Sequence, residues 1–199
     1  MRQRGFSLIE LMVTMVILVL LMVAAMPSIG TWLDNTRIRN EGDSIVNGLQ
    51  TARAEAVRRN ENVSFWLVQL TDPATLANDC TLSDTSGSWI VSVSGPASHC
   101  ADDPTSTSAS TNPEGIIVGR PMGADSARVS VKAVNSAGTA GTYVTFNGFG
   151  RVTDSNSIAE IDLDGTGGAT YRNLHVLVST SGSVRLCDPN AGSTDPRKC

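Results

Sequence analysis

Apolar residues are unevenly spread along this chain. From Phe6 to Met26 they form a block interrupted only by Ser7, Glu10 and Thr14. Pro27 follows and predicts a kink, because proline removes a backbone donor and crowds the preceding turn. Beyond it, Ile29, Trp32 and Leu33 fit one helical face. Ile38, Ile45, Leu49, Ala52 and Ala56 then recur at steps of seven, four, three and four, which is an amphipathic helical stripe. Arg37, Arg39, Glu41 and Asp43 read as lying largely off that stripe, and the helix is expected to end near Asn60. After Asn60 the period shortens to alternation. Candidate strands are 62–70, 88–94, 115–120, 127–134, 142–147, 150–153, 158–163, 171–179 and 183–187, with residues 128–134 the cleanest example of one buried face. Asn147-Gly148 and Ser181-Gly182 are turn signals between apolar runs. Residues 101–114, rich in Ser, Thr, Pro and Asp, read as an exposed loop. The tail from Asn190 is similar, although Cys199 can tie it down. One long helix followed by many short antiparallel strands is an α+β order.

The apolar block sets the compartment. As a helix, residues 6–26 reach roughly 30 Å at about 1.5 Å per residue, enough for a bilayer. Arg2 and Arg4 ahead of it place the N-terminus on the cytoplasmic side, so the rest of the chain is expected to be translocated. The helical stripe over 36–58 can pack on its own domain. Residues 6–30 have no soluble partner, and lipid or other helices of the same kind are their natural neighbours. Glu10 is out of place there. A carboxylate in the apolar core costs about 2.5–3.5 kcal/mol on insertion scales. No Lys, Arg or His occurs between Phe6 and Arg37 to compensate it. A cut between Gly5 and Phe6 would supply a partner, a new α-amino group at membrane depth. A secretory signal cut near Val23-Ala24-Ala25, or a plain signal anchor, explains the basic start and the apolar run but not Glu10.

The segment Arg4-Gly5-Phe6-Ser7-Leu8-Ile9-Glu10-Leu11 resembles the class III signal of type IV pilins and type II secretion pseudopilins. The resemblance implies that a dedicated prepilin peptidase cuts after Gly5 and methylates Phe6. It also implies that Glu10, the fifth mature residue, serves assembly. Pro27 falls where the family often has a proline. Further along, Gln50–Arg59, Phe146–Val152 and Ser181–Cys187 are similar to the helix end, the mid-sheet hairpin and the C-terminal hairpin of the GspH/FimT group. The implied fold is the pilin fold. The implied organisation is a leader over 1–5, a transmembrane and assembly helix over 6–30, and a periplasmic domain over 31–199. Residues 71–114 carry no such likeness.

Composition adds less. The net charge of −4 gives no general pull towards nucleic acid. Loss of Arg2 and Arg4 with the leader would take it from −4 to −6. Four cysteines, Cys80, Cys100, Cys187 and Cys199, include no C-x-x-C pair, which argues against zinc and redox motifs. Three pairings are open. Cys80–Cys100 and Cys187–Cys199 are favoured because each closes a local loop, and translocation favours oxidation over free thiols. Asp162-Leu163-Asp164-Gly165 lacks the closing Glu of an EF-hand and reads as a turn after a strand. His175 reads as a satisfied sheet histidine. No catalytic, cofactor or metal site is expected.

Arg172, Arg185, Arg197 and Lys198 cluster late in the chain, and a Cys187–Cys199 bond would bring the tail back towards Arg185. One branch of the FimT group binds DNA in natural transformation through Gly-Arg-x-Arg at its C-terminal hairpin. The matching Gly182-Ser183-Val184-Arg185 keeps only the second arginine. The expected function is therefore a minor pilin that primes or caps a type IV pilus, held in the inner membrane and then displayed on the cell surface. Its expected partners are other pilins, the prepilin peptidase and the inner membrane. A DNA-binding minor pilin and a type II secretion pseudopilin are the alternatives.

Overall fold

The computed structural model describes residues 7–123, 127–167 and 171–199, apart from the side chains of residues 24–29. Helix α1 spans Leu8–Arg59, 52 residues and roughly 78 Å at about 1.5 Å per residue. Ser7, in extended conformation, precedes it, and the Leu11 N–H donates to the Ser7 carbonyl at 3.2 Å. The helix continues through position 27, whose side chain is outside those described, so the expected kink is not addressed. It stops at Asn60, which turns left-handed (φ 53°, ψ 40°) and donates its N–H back to the carbonyls of Ala56 and Val57. Asparagine tolerates that conformation better than other non-glycine residues. Glu55 pairs with both Arg58 and Arg59 on the last turn, at 2.6 and 2.9 Å, where cations also suit the helix dipole.

The second half of α1 packs on two antiparallel sheets. The first holds β1 (Val63–Gln69), β2 (Thr81–Leu82), β3 (Trp89–Ser92), β4 (Ile116–Arg120) and β6 (Tyr143–Phe146). The second has the order β5 (Val129–Asn135), β7 (Ile158–Gly165), β8 (Leu174–Val178), β9 (Val184–Cys187). In the first sheet β3 takes one edge of β1. Both β6 and β2 take the other, because the N–H of Leu67 donates to Thr142 while its carbonyl accepts from Ser83, and those two groups of one strand residue point the same way.

Ile38, Ile45, Leu49, Ala52 and Ala56 are fully buried and enter one core with Phe65, Phe146, Ile161, Leu163 and Val176 from both sheets. A Cβ on Gly48 would lie 2.7 Å from the Phe65 ring and 2.8 Å from that of Trp89, so its absence lets the helix close on the first sheet. A smaller core of Val68, Leu70, Cys80, Ile90, Cys100 and Ile116 lies on the far face of that sheet. This explains why β1 is buried on nearly every residue rather than alternating.

Several expectations need correction. Glu41 is not off the stripe; it is 9% exposed. Position 41 lies three residues after Ile38 and four before Ile45, hence on their face. Residues 150–153 form an isolated bridge, Phe146 with Val152, rather than a strand. Asp164 and Gly165 are not a turn; they extend β7 and pair with Ser130 and Val129. Strand β2 was not expected, since its two residues are both exposed and carry no alternation.

Candidate functional site

The N-terminal site is described only from Ser7 onward; Gly5 and Phe6 lie outside the described residues. Glu10 falls in the first turn of α1 and is exposed. Around it every large apolar side chain from Leu8 to Val23 is exposed, from 48% at Leu18 to 78% at Leu8. A helix half whose apolar side chains are exposed all round among the described residues calls for an external apolar environment. Among the described residues, no helix is long and apolar enough to cross a membrane.

The C-terminal site is shaped by the second of two disulfides, Cys80–Cys100 and Cys187–Cys199. The tail turns back so that the Asp188 N–H donates to the Arg197 carbonyl at 2.7 Å, and Asp188 and Lys198 form a parallel bridge. The turn draws the four expected cations into one region but does not leave them all available. Arg172 donates Nε–H to Asp188 at 2.6 Å, with the Asp188 side chain only 6% exposed. Arg197 pairs with Asp195, also at 2.6 Å. Arg185 donates to the Cys199 carbonyl at 3.2 Å, and Lys198 is exposed. Burial pushes the Asp188 carboxyl up, but the bonds from Arg172 and the Asn190 amide outweigh it, leaving its pKa lowered. The Arg197 bond holds Asp195 down at about 2.

Arg172 and Arg197 line a cleft of about 350 Å³ between α1 and the second sheet, with Trp32, Asn35, Arg39 and Leu186. A second groove of about 650 Å³ runs between the end of α1 and the β8–β9 hairpin, lined by Arg53, Val57, Arg58, Gly182 and Ser183. Arg39 and Arg53 were not anticipated. Arg53 lay inside the family-like Gln50–Arg59 stretch, whereas nothing in the sequence singled out Arg39.

The three family-like stretches meet at one point. Arg53 donates Nε–H to the Gly150 carbonyl at 3.0 Å. Gly182, at φ +82°, lies against the same carbonyl so closely that a Cβ would fall 1.9 Å from its oxygen. The helix end, the mid-sheet turn and the C-terminal hairpin thus share a joint that glycine permits.

Both histidines face carboxylates. His99 Nδ1 is 2.8 Å from Asp102. His175, in β8, has Nδ1 2.6 Å from Glu160 and Nε2 3.3 Å from Asp162, and one ligand atom from each of these three residues can be chosen within 4.8 Å of the others.

A long N-terminal helix, apolar and exposed over its first half and packed by its second half on antiparallel sheets, is the α+β arrangement of pilins and pseudopilins. The chain belongs to the GspH family: the family model described as Type II transport protein GspH matches residues 41–182. The prokaryotic N-terminal methylation motif matches residues 1–26. Among solved structures, the type IV minor pilin FimU of Pseudomonas aeruginosa strain PAO1 is similar in two crystal forms. One is 15% identical with a TM-score of 0.47, over 80% of this chain and 98% of that one. The other is 16% identical with a TM-score of 0.43, over 77% and 98%. No curated protein sequence matches.

Proposed function

We propose that the chain is a minor pilin, a structural and priming subunit of a type IV pilus. The observation that carries this is the apolar first half of α1, whose large side chains from Leu8 to Val23 are exposed among the described residues, joined to a motif for N-terminal methylation. In this reading prepilin peptidase cuts between Gly5 and Phe6. Residues 6–30 hold the protein in the inner membrane with residues 31–199 in the periplasm, and the same helix then enters the helical bundle of the fibre. Glu10 meets an α-amino group, its own or a neighbour's, during assembly. The two disulfides suit display beyond the cytoplasm.

The description of the GspH family favours a second reading, a type II secretion pseudopilin. A DNA-binding minor pilin has less support, because carboxylates occupy Arg172 and Arg197. The test is a deletion strain read for surface pili and for secreted enzymes, with the protein traced in the sheared-fibre fraction. Loss of pili with intact secretion, and the subunit in sheared fibres, is the expected result. Loss of secretion with normal pili selects the pseudopilin. Glu10→Ala is expected to insert and be cut normally but to be depleted from fibres; normal incorporation would refute an assembly role for this carboxylate.

A further inference from the structure

The outer face of the second sheet carries a row of groups that the pilin reading does not use. Asp162 and His175 are directly opposed across β7 and β8, and Glu160, two residues before Asp162, is on the same face. Lys132 opposes Asp162 from β5, Cys187 opposes His175 from β9, and Arg185 opposes Leu177 one step along. His175 has a carboxylate oxygen at each ring nitrogen, at 2.6 Å on Nδ1 and 3.3 Å on Nε2. A neutral imidazole has one N–H and one lone pair. With the proton on Nδ1, beside Glu160, the Nε2 lone pair faces Asp162 Oδ1, and two acceptors oppose each other. Asp162 Oδ1 is shut off from solvent and has no hydrogen-bond partner among the described residues. Something positive is needed between these two atoms, either a second proton or a metal ion.

We propose that this is a binding site for a divalent transition-metal ion of the Zn²⁺ class, held by His175 Nε2 and Asp162 Oδ1 and completed by water. Bonds of about 2.0–2.2 Å to nitrogen and oxygen at near-tetrahedral angles put the two ligand atoms roughly 3.3 Å apart, and the observed separation is 3.3 Å. Imidazole with carboxylate suits Zn²⁺ better than Ca²⁺ or Mg²⁺, which prefer all-oxygen shells. Glu160, whose Oε1 lies 2.6 Å from Nδ1, is a positioning residue: its negative charge beside Nδ1 favours the proton there and so the tautomer that offers Nε2. The site does not depend on the pilus assignment.

The test uses the full untagged chain in detergent micelles, ¹⁵N-labelled at histidine and titrated with Zn²⁺ alone. With two histidines in the chain, His99→Gln assigns the ring signals. Zn²⁺ is expected to move Nε2 of His175 and leave its Nδ1 protonated. His175→Gln should abolish this binding, and His99→Gln should leave it unchanged. Asp162→Asn should weaken it at least about tenfold, and Glu160→Gln should weaken it about tenfold while shifting the tautomer. His175 signals unmoved in millimolar Zn²⁺ overturn the proposal, as does equal affinity in wild type and either His175→Gln or Asp162→Asn. Glu160, Asp162 and His175 lie on the sheet's outer face, and unchanged amide spectra away from each substituted residue show that the variants are folded.

Discussion

Glu41 sits between Ile38 and Ile45 on the buried stripe of α1, and its Oε1 has no hydrogen-bond partner among the described residues. Burial pushes its pKa up, Arg120 pulls it partly back, and the result is about 7 against an ordinary 4.5. The fold therefore prefers the protonated acid. Its contribution to stability is fully present below pH 4.5 and falls as the unfolded chain ionises. Above about pH 7 the loss levels off at about 3 kcal/mol. Glu41→Gln is expected to remove this slope and stabilise the domain at pH 8 but not at pH 4. Urea unfolding of residues 31–199 at the two pH values measures it, and parallel pH dependence in wild type and variant would show that the carboxylate is not held this way. The buried position is legible in the spacing of Ile38, Glu41 and Ile45, whereas the charge of a glutamate points to the surface.

Ser183 poses the nucleic-acid question at the same scale. It lines the groove beside Arg53 and Arg58, and its hydroxyl is 2.9 Å from that of Ser179. Phosphate binding needs several free cations on one strip, and the tail has spent two on Asp188 and Asp195. The domain is expected to bind duplex DNA weakly or not at all, and Ser183→Arg to create measurable, salt-sensitive binding. A gel shift by the wild-type domain at moderate salt that Arg185→Ala abolishes would reverse that ranking.

Among the elements, the joint of Arg53, Gly150 and Gly182 is where the chain has least room. Gly182→Ala must place a Cβ into the Gly150 carbonyl at a left-handed φ, and a cost of more than about 1 kcal/mol is expected. Denaturation midpoints check this, and a neutral Gly182→Ala would mean that the hairpin is free to lift. The Cys187–Cys199 bond holds the tail against β9. Its removal by Cys187→Ser with Cys199→Ser is expected to cost about 2–4 kcal/mol and to release Arg197 from the cleft. Non-reducing peptide mapping tests the pairing itself, and a Cys80–Cys187 peptide would contradict it.

Strands that alternate cleanly, such as β5, were readable to within a residue or two, because each buries one face. What escaped was set by partners rather than pattern. Strand β2 exists only because the end of β1 has a free edge. Asn147 accepts from the amides of Phe149 and Arg151 and holds a turn at 148–149, which leaves residues 150–153 a single bridge rather than a strand. The Glu160–Asp162–His175 row needed the register of β7 on β8, which no local period contains. Arg39 joins the tail only because the disulfide returns it to the helix.

On the scale of the whole molecule, the chain divides by what it buries. The hydrophobic core begins at Ile38, while Leu8 to Val23 is apolar and exposed among the described residues. Among the described residues the core draws on the second half of the helix and not on the first. The contrast between an exposed apolar block and a buried amphipathic stripe was legible in the spacing of the apolar residues. The central claim is that this half is a pilin anchor released from a leader at Gly5. Intact-mass measurement of the protein from the membrane fraction tests it directly. A species beginning at Phe6 and carrying one added methyl group is expected, with Gly5 changed to a bulky residue leaving the precursor uncut. A mature chain beginning after Ala25, or an unprocessed chain in wild type, would contradict it.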